Sequence, residues 1–169
     1  ILIAFLLVVA VPALCQMNEI IIDHYTIPGV IKSTYTASIV QDEHGLLWFG
    51  TSSGLFRYDG NRFTHYKYEM DGFSLERRQL NTLLWDTATH RLLMATGMGG
   101  LLQLKQGEAT ITVLSKEDNT INALAQTNDS RIWVLGSNGF YELVNDSLRL
   151  AFGSRSLRAP TVLCTSGNR

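Results

Sequence analysis

Gln41-Asp42-Glu43-His44-Gly45-Leu46-Leu47-Trp48-Phe49-Gly50-Thr51-Ser52-Ser53-Gly54-Leu55-Phe56-Arg57-Tyr58-Asp59-Gly60 decides the reading of this chain, because it returns. A weak copy is Leu92-Leu93-Met94-Ala95-Thr96 with Gly99-Gly100-Leu101-Leu102, and a clearer one is Ile132-Trp133-Val134-Leu135-Gly136-Ser137-Asn138-Gly139-Phe140-Tyr141. Trp48 and Leu93 lie 45 residues apart, and Leu93 and Trp133 lie 40 apart. A period of that length, built of short strands separated by turn residues, marks a propeller blade or a similar array. The fold class expected is all-β: a β-propeller fragment of about three four-stranded antiparallel blades and the start of a fourth.

Turn chemistry divides each copy into four strands. In the first, Ala37 to Gln41 precedes the polar turn Asp42-Glu43-His44-Gly45, and Leu46 to Gly50 is followed by Ser52-Ser53-Gly54. Leu55 to Tyr58 then leads through Asp59-Gly60, a strong hairpin signal, into Arg62 to Tyr68. The second copy reads as Leu80 to Asp86, Arg91 to Ala95, Leu101 to Lys105 and Ala109 to Leu114. The third reads as Ile121 to Gln126, Arg131 to Leu135, Phe140 to Val144 and Ser147 to Ala151, with Asn145-Asp146 turning. Leu46-Leu47-Trp48-Phe49 is apolar on both faces, as a sheet sandwiched between two others requires.

The ends frame the array. Ile1 to Val11 is an apolar run too short for a comfortable membrane span, and Ala13 and Cys15 stand before Gln16 as small residues stand before a signal cleavage. The expected division is a signal peptide over 1–15 with its n-region missing, and a lead-in over 16–36. Blades follow over 37–78, 79–118 and 119–158, with a truncated next blade over 159–169. Export would remove Cys15 or leave it at the edge, so Cys164 is a lone thiol and no internal disulfide is expected. The formal net charge of −1 and the scattered basic residues give no electrostatic case for nucleic acid or an anionic membrane.

The run from Ser38 to Gly60 resembles the two-component regulator propeller repeat: an aspartate–glycine turn, Leu-Trp-Phe-Gly-Thr, Gly-Leu, and an Arg-Tyr-Asp-Gly hairpin. His24 to Val30 is similar to that family's lead-in, and the likeness covers roughly residues 22 to 152. The second copy departs from the pattern, with Leu93-Met94-Ala95-Thr96 and a turn, Thr87-Ala88-Thr89-His90, that lacks glycine. The resemblance implies the periplasmic sensor region of a hybrid two-component system histidine kinase, an inner-membrane protein of glycan-degrading bacteria. It implies an oligosaccharide ligand, further blades and downstream domains in the same chain, and a homodimer of the full-length protein. A secreted propeller enzyme acting on polysaccharide, or a propeller sensor with a non-kinase output, is the alternative.

Catalytic chemistry is not evident within 17–169. His24, His44, His65 and His90 are spaced 20, 21 and 25 residues apart, without the pairing a metal site needs, so no metal or cofactor is expected. The adjacent carboxylates Asp42-Glu43 and Glu117-Asp118 sit at turns, whereas a glycosidase needs two carboxyls facing across a cleft. Gly97-Met98-Gly99-Gly100 precedes a strand and not a helix, which argues against a phosphate loop. Trp48 and Trp133 are read as packing between blades, since Leu93 occupies the same place. No particular ligand-binding residue is singled out. The face expected to recognise a ligand carries Ser52-Ser53-Gly54, Gly97 to Gly100, Ser137-Asn138-Gly139 and the connection Glu69 to Arg78, with Glu76, Arg77 and Arg78.

Overall fold

The computed structural model describes residues 35–67, 69–70, 73–75, 78–108, 110–115 and 120–153. Three four-stranded antiparallel sheets follow one another along the chain. The first holds β1 (Thr36–Gln41), β2 (Leu47–Thr51), β3 (Gly54–Tyr58) and β4 (Phe63–Tyr66). A two-stranded ladder of β5 (Glu69–Met70) and β6 (Phe73–Ser74) lies in the connection that the sequence presents as a loop. The second sheet holds β7 (Leu80–Asp86), β8 (Arg91–Thr96), β9 (Leu101–Lys105) and β10 (Ile111–Ser115). The third holds β11 (Ile121–Gln126), β12 (Ile132–Gly136), β13 (Gly139–Val144) and β14 (Ser147–Gly153). The expected signal peptide, the strand opening at 159 and the carboxylate pair Glu117-Asp118 lie outside the described residues.

Each sheet is a meander of consecutive strands, and β7 packs against both β1 and β11. First strands side by side and fourth strands outermost make each sheet a propeller blade. Register shows the repeat directly. Val40 pairs with Trp48, Leu84 with Leu93 and Ala125 with Trp133, so Trp48, Leu93 and Trp133 are equivalent. The first strand of each blade bulges at the same place, between Thr36 and Ser38, Leu80 and Thr82, and Ile121 and Ala123.

The core consists of what lies between the blades. Side chains alternate along β8, so Leu92 and Met94 join Trp48, Leu55, Leu80 and Leu83 beneath the first blade. Leu93 and Ala95 point the other way, to Leu124, Ile132 and Val134. Every residue of β8 is buried in consequence. Gly50 is where the first two blades come closest: a Cβ there would meet the Leu83 side chain at 3.1 Å and Leu80 at 3.3 Å. Leu75, in the connection between those blades, is fully buried in the same cluster.

The turns explain why the second copy tolerates its missing glycine. Gly45, His90 and Ser130 are equivalent, each preceding the second strand, and all have positive φ (82°, 51° and 63°). The left-handed backbone is kept in all three blades even though only one of them has the residue that takes it without strain. Asn145 and Asp146, at φ 50° and 60°, form the hairpin turn their identities favour.

Candidate functional site

The propeller has two loop faces, and register decides which residues share each. On one, the turn after each second strand is tied to the residues entering the first strand of its own blade. Ser52 N–H donates to Tyr35 O at 3.1 Å, Gly97 N–H to Gln79 O at 2.9 Å, and Ser137 N–H to Thr120 O at 2.9 Å. The structure thus brings Ser52-Ser53-Gly54, Gly97 to Gly100 and Ser137-Asn138-Gly139 to one face, as the meander requires. Two of these turns are closed alike, by the Thr51 hydroxyl on Gly54 O and the Thr96 hydroxyl on Gly99 O. The His65 ring, stacked on Phe56, lies 3.2 Å from Ser53 O. Met98 projects from the middle turn, 77% exposed. Gln79 donates to Asn81, and Asn81 reaches the third blade at Ile121 O. Arg78 is half-buried and its N–H donates to Leu75 O. Glu76 and Arg77 lie outside the described residues.

The opposite face carries the first and third turns, and its polar groups join neighbouring blades. Asp42 begins the first turn and accepts three hydrogen bonds: from His44 N–H at 2.9 Å, Leu46 N–H at 3.0 Å and the Trp48 indole Nε1–H at 2.9 Å. Its neighbour Glu43 points away to His90 of the second blade, at 2.5 Å. Such divergence leaves the two carboxylates unable to face one substrate atom. His44 meets Gln106, also of the second blade.

Between the second and third blades the seam is closed by charge. Asp86, buried, accepts from Arg91 Nε at 3.0 Å, from Ala88 N–H at 3.1 Å, from the Thr89 hydroxyl, and from Gln126 Nε2 of the third blade at 2.7 Å. Arg91 also donates to Gln103 at 2.7 Å and to Asp146 of the third blade. Burial alone would raise the Asp86 pKa, but the donors from Thr89, Arg91, Ala88 and Gln126 outweigh it and hold the carboxyl below its usual range. Nothing in the sequence reading pointed to this cluster. Its signal was an Asp and an Arg flanking a tight turn, which strand pairing sets opposite one another.

The tryptophans are packing residues. Trp48 is buried between the first two blades and tilts against Tyr66, with ring centroids 5.1 Å apart. Trp133 stacks on Phe140 at 4.9 Å, with Arg131 over its ring.

Comparison with known proteins agrees with this geometry. The family model described as Two component regulator propeller matches residues 29–53, a segment that takes in the first two strands. Those residues carry the repeat of that family, and the fold is that of a propeller. Among solved structures, the extracellular domain of a one component system from B. thetaiotaomicron superposes with a TM-score of 0.63 at 23% identity, over 77% of this chain and 18% of that one. The extracellular domain of a hybrid two component system from the same organism gives 0.60 at 24%, over 72% of this chain and 19% of that one. A virginiamycin B lyase from Staphylococcus aureus gives 0.55 at 13%, over 69% and 40%. The chain therefore spans less than a fifth of the first two relatives, and at these identities they show its fold. No curated protein matches it.

Proposed function

We propose that this chain is part of an extracytoplasmic sensor propeller of a two-component system, and that it works by recognition and not by catalysis. The observation that carries the reading is the regulator-propeller match over residues 29–53, whose described part, 35–53, lies in a blade whose neighbours repeat its register. The likeness to the extracellular domain of a hybrid two component system, and to that of a one component system, supports it. The finer assignment is a hybrid histidine kinase that responds to oligosaccharides, spans the inner membrane and acts as a homodimer. The second-turn face suits recognition of a hydroxyl-rich molecule. It presents serines, Asn81, Gln79 and Asn138 on a rigid scaffold.

A ligand can drive such a device only through unequal affinity for two arrangements of the sensor. The test is to place the full-length protein in vesicles and measure autophosphorylation while titrating a panel of plant and host oligosaccharides. The reading expects at least one glycan to change the phosphorylation rate saturably, without being consumed. Turnover of the glycan would establish the secreted or membrane-held enzyme instead. A full-length chain that lacks phosphotransfer yet alters another output on glycan binding would leave the sensor and remove the kinase.

A further inference from the structure

Ile132, Val134 and Leu143 of the third blade face the second. Trp133 and Phe140 alternate with them and lie on the opposite face, where their rings stack at 4.9 Å. Phe140 stacks in turn on Phe152 at 6.2 Å, and Phe152 is 59% exposed. By register this is the face that Trp48 turns to the second blade and Leu93 to the third. In both of those seams the first strand of the following blade helps to cover it. Gly50 lies against Leu83 of β7, and Ala95 shares a cluster with Leu124 of β11. Leu135 stands in the place of Gly50 and Ala95.

Polar groups fasten the seam between the second and third blades at both ends of its first strands. Near the second turns Asn81 Nδ2 donates to Ile121 O at 3.4 Å. Near the first turns the Thr87 hydroxyl donates to Gln126 Oε1 at 3.1 Å. Asn122 is the third-blade counterpart of Asn81, and Asn128 lies two residues beyond Gln126 as Thr87 lies two beyond Trp85. Both asparagines are exposed.

Ala159-Pro160-Thr161-Val162-Leu163-Cys164-Thr165, outside the described residues, follows Ile121–Thr127 at a spacing of 159 − 121 = 38 residues. In that register Pro160 falls on the bulge position held by Ala37, Asn81 and Asn122. The bulge residue is the unpaired one, so a proline there removes no ladder hydrogen bond, whereas inside the paired strand it would. Val162 falls on the place of Leu83 and Leu124. Volumes then compensate across the three seams: Gly50 meets Leu83, Ala95 meets Leu124, and the larger Leu135 meets the smaller Val162. Connector length agrees as well. Five residues, 116–120, join β10 to β11, and five, 154–158, lie between β14 and Ala159.

We propose that residues 159–165 dock as a strand on the outer face of the third blade, in the register that β11 takes on the second. Val162 packs on Leu135, Asn122 donates to Ala159 O, and the Cys164 side chain comes beside Asn128. The occupant is this chain's own segment and not a second copy, because connector length and the bulge proline set the same register. The docking does not depend on what the propeller recognises.

The test uses the full chain with Cys15→Ser, which leaves Cys164 as its single thiol. A second thiol is added by Asn128→Cys, or by Asn138→Cys at the opposite loop face as a control. β12, five residues long, separates the two sites by about 17 Å. A short bismaleimide is added, and the products are read by intact mass and peptide mapping. The expected result is a link within one molecule from Cys164 to position 128, formed about tenfold faster than one to position 138. No link to position 128, or equal rates to both positions, would overturn the proposal. Links mainly between molecules would overturn it too, by giving the face to a second copy. A nitroxide on Cys164, with neither thiol added, decides the point even if a variant fails to fold. It should broaden the amide signals of Thr127 and Asn128 more than those of Ser137 and Asn138, and the reverse order or no difference would count against the docking.

Discussion

Trp48 donates its indole N–H to Asp42 at 2.9 Å, which fastens the first turn of the first blade to the packing layer beneath it. The other carboxylate oxygen closes the turn through two backbone N–H groups. One side chain therefore serves turn and core together. Asp42→Ala strands all three donors and should cost about 2–3 kcal/mol in urea denaturation. Trp48→Phe removes one of those donors along with some packing. The double variant should then lose clearly less than the two single losses combined, because they share a hydrogen bond. Additive losses would show that the pair is uncoupled.

Asp86 gives the fold an acid limit. Its folded pKa lies below the unfolded value, so its contribution is fully present above the unfolded carboxylate range, about 3.9. That contribution fades as pH falls through the folded value. Denaturation midpoints measured from pH 7 downward should drop steeply in acid for the wild type. Asp86→Asn should be less stable by about 2 kcal/mol at pH 7, since Arg91 then keeps only the half-exposed Asp146 as a charge partner. The variant should also show a shallower decline in acid.

Gly50 sets how closely the first two blades approach. Gly50→Ala puts a methyl group 3.1 Å from Leu83, which forces a small shift and should cost about 1 kcal/mol. Gly50→Leu should cost about 3 kcal/mol or more by the same measure. The equivalent positions are Ala95 and Leu135, so the repeat itself accepts these sizes where the spacing differs. Thermal denaturation of both variants would show whether cost follows volume.

Ser130 holds a left-handed backbone that glycine holds in the first blade. Ser130→Gly should stabilise the chain by about 0.5–1 kcal/mol, by releasing that strain against a small entropic cost. Ser130→Val should destabilise it by more than Gly gains. Equal midpoints for all three residues would mean that the turn rearranges freely.

The fold was legible because the repeat is periodic in the features that make strands. Leu80–Asp86, Leu101–Lys105 and Ile121–Gln126 begin and end where their turn residues predict. Elsewhere the ends moved by a residue or two. Thr51, Thr96 and Gly136 extend the second strands because they still pair with Thr36, Leu80 and Ile121 across the bulge. The ladder at Glu69–Met70 and Phe73–Ser74 escaped notice since two-residue strands leave no alternation to read. The second-turn face could be inferred from meander geometry alone. The seam at Asp86 and Arg91 could not, because Gln126 and Asp146 reach it from the third blade, and such partners are visible only once neighbouring blades are set side by side.

The burial of β8 on both faces has a consequence for how the chain comes apart. β8 can open only after its packing on both faces, against the first blade and against the third, has gone. Amide protons of Leu92 to Ala95 should therefore exchange with solvent later than those of the largely exposed β14. The least family-like of the three sequences would then keep its protons longer than the outermost strand of a more family-like one.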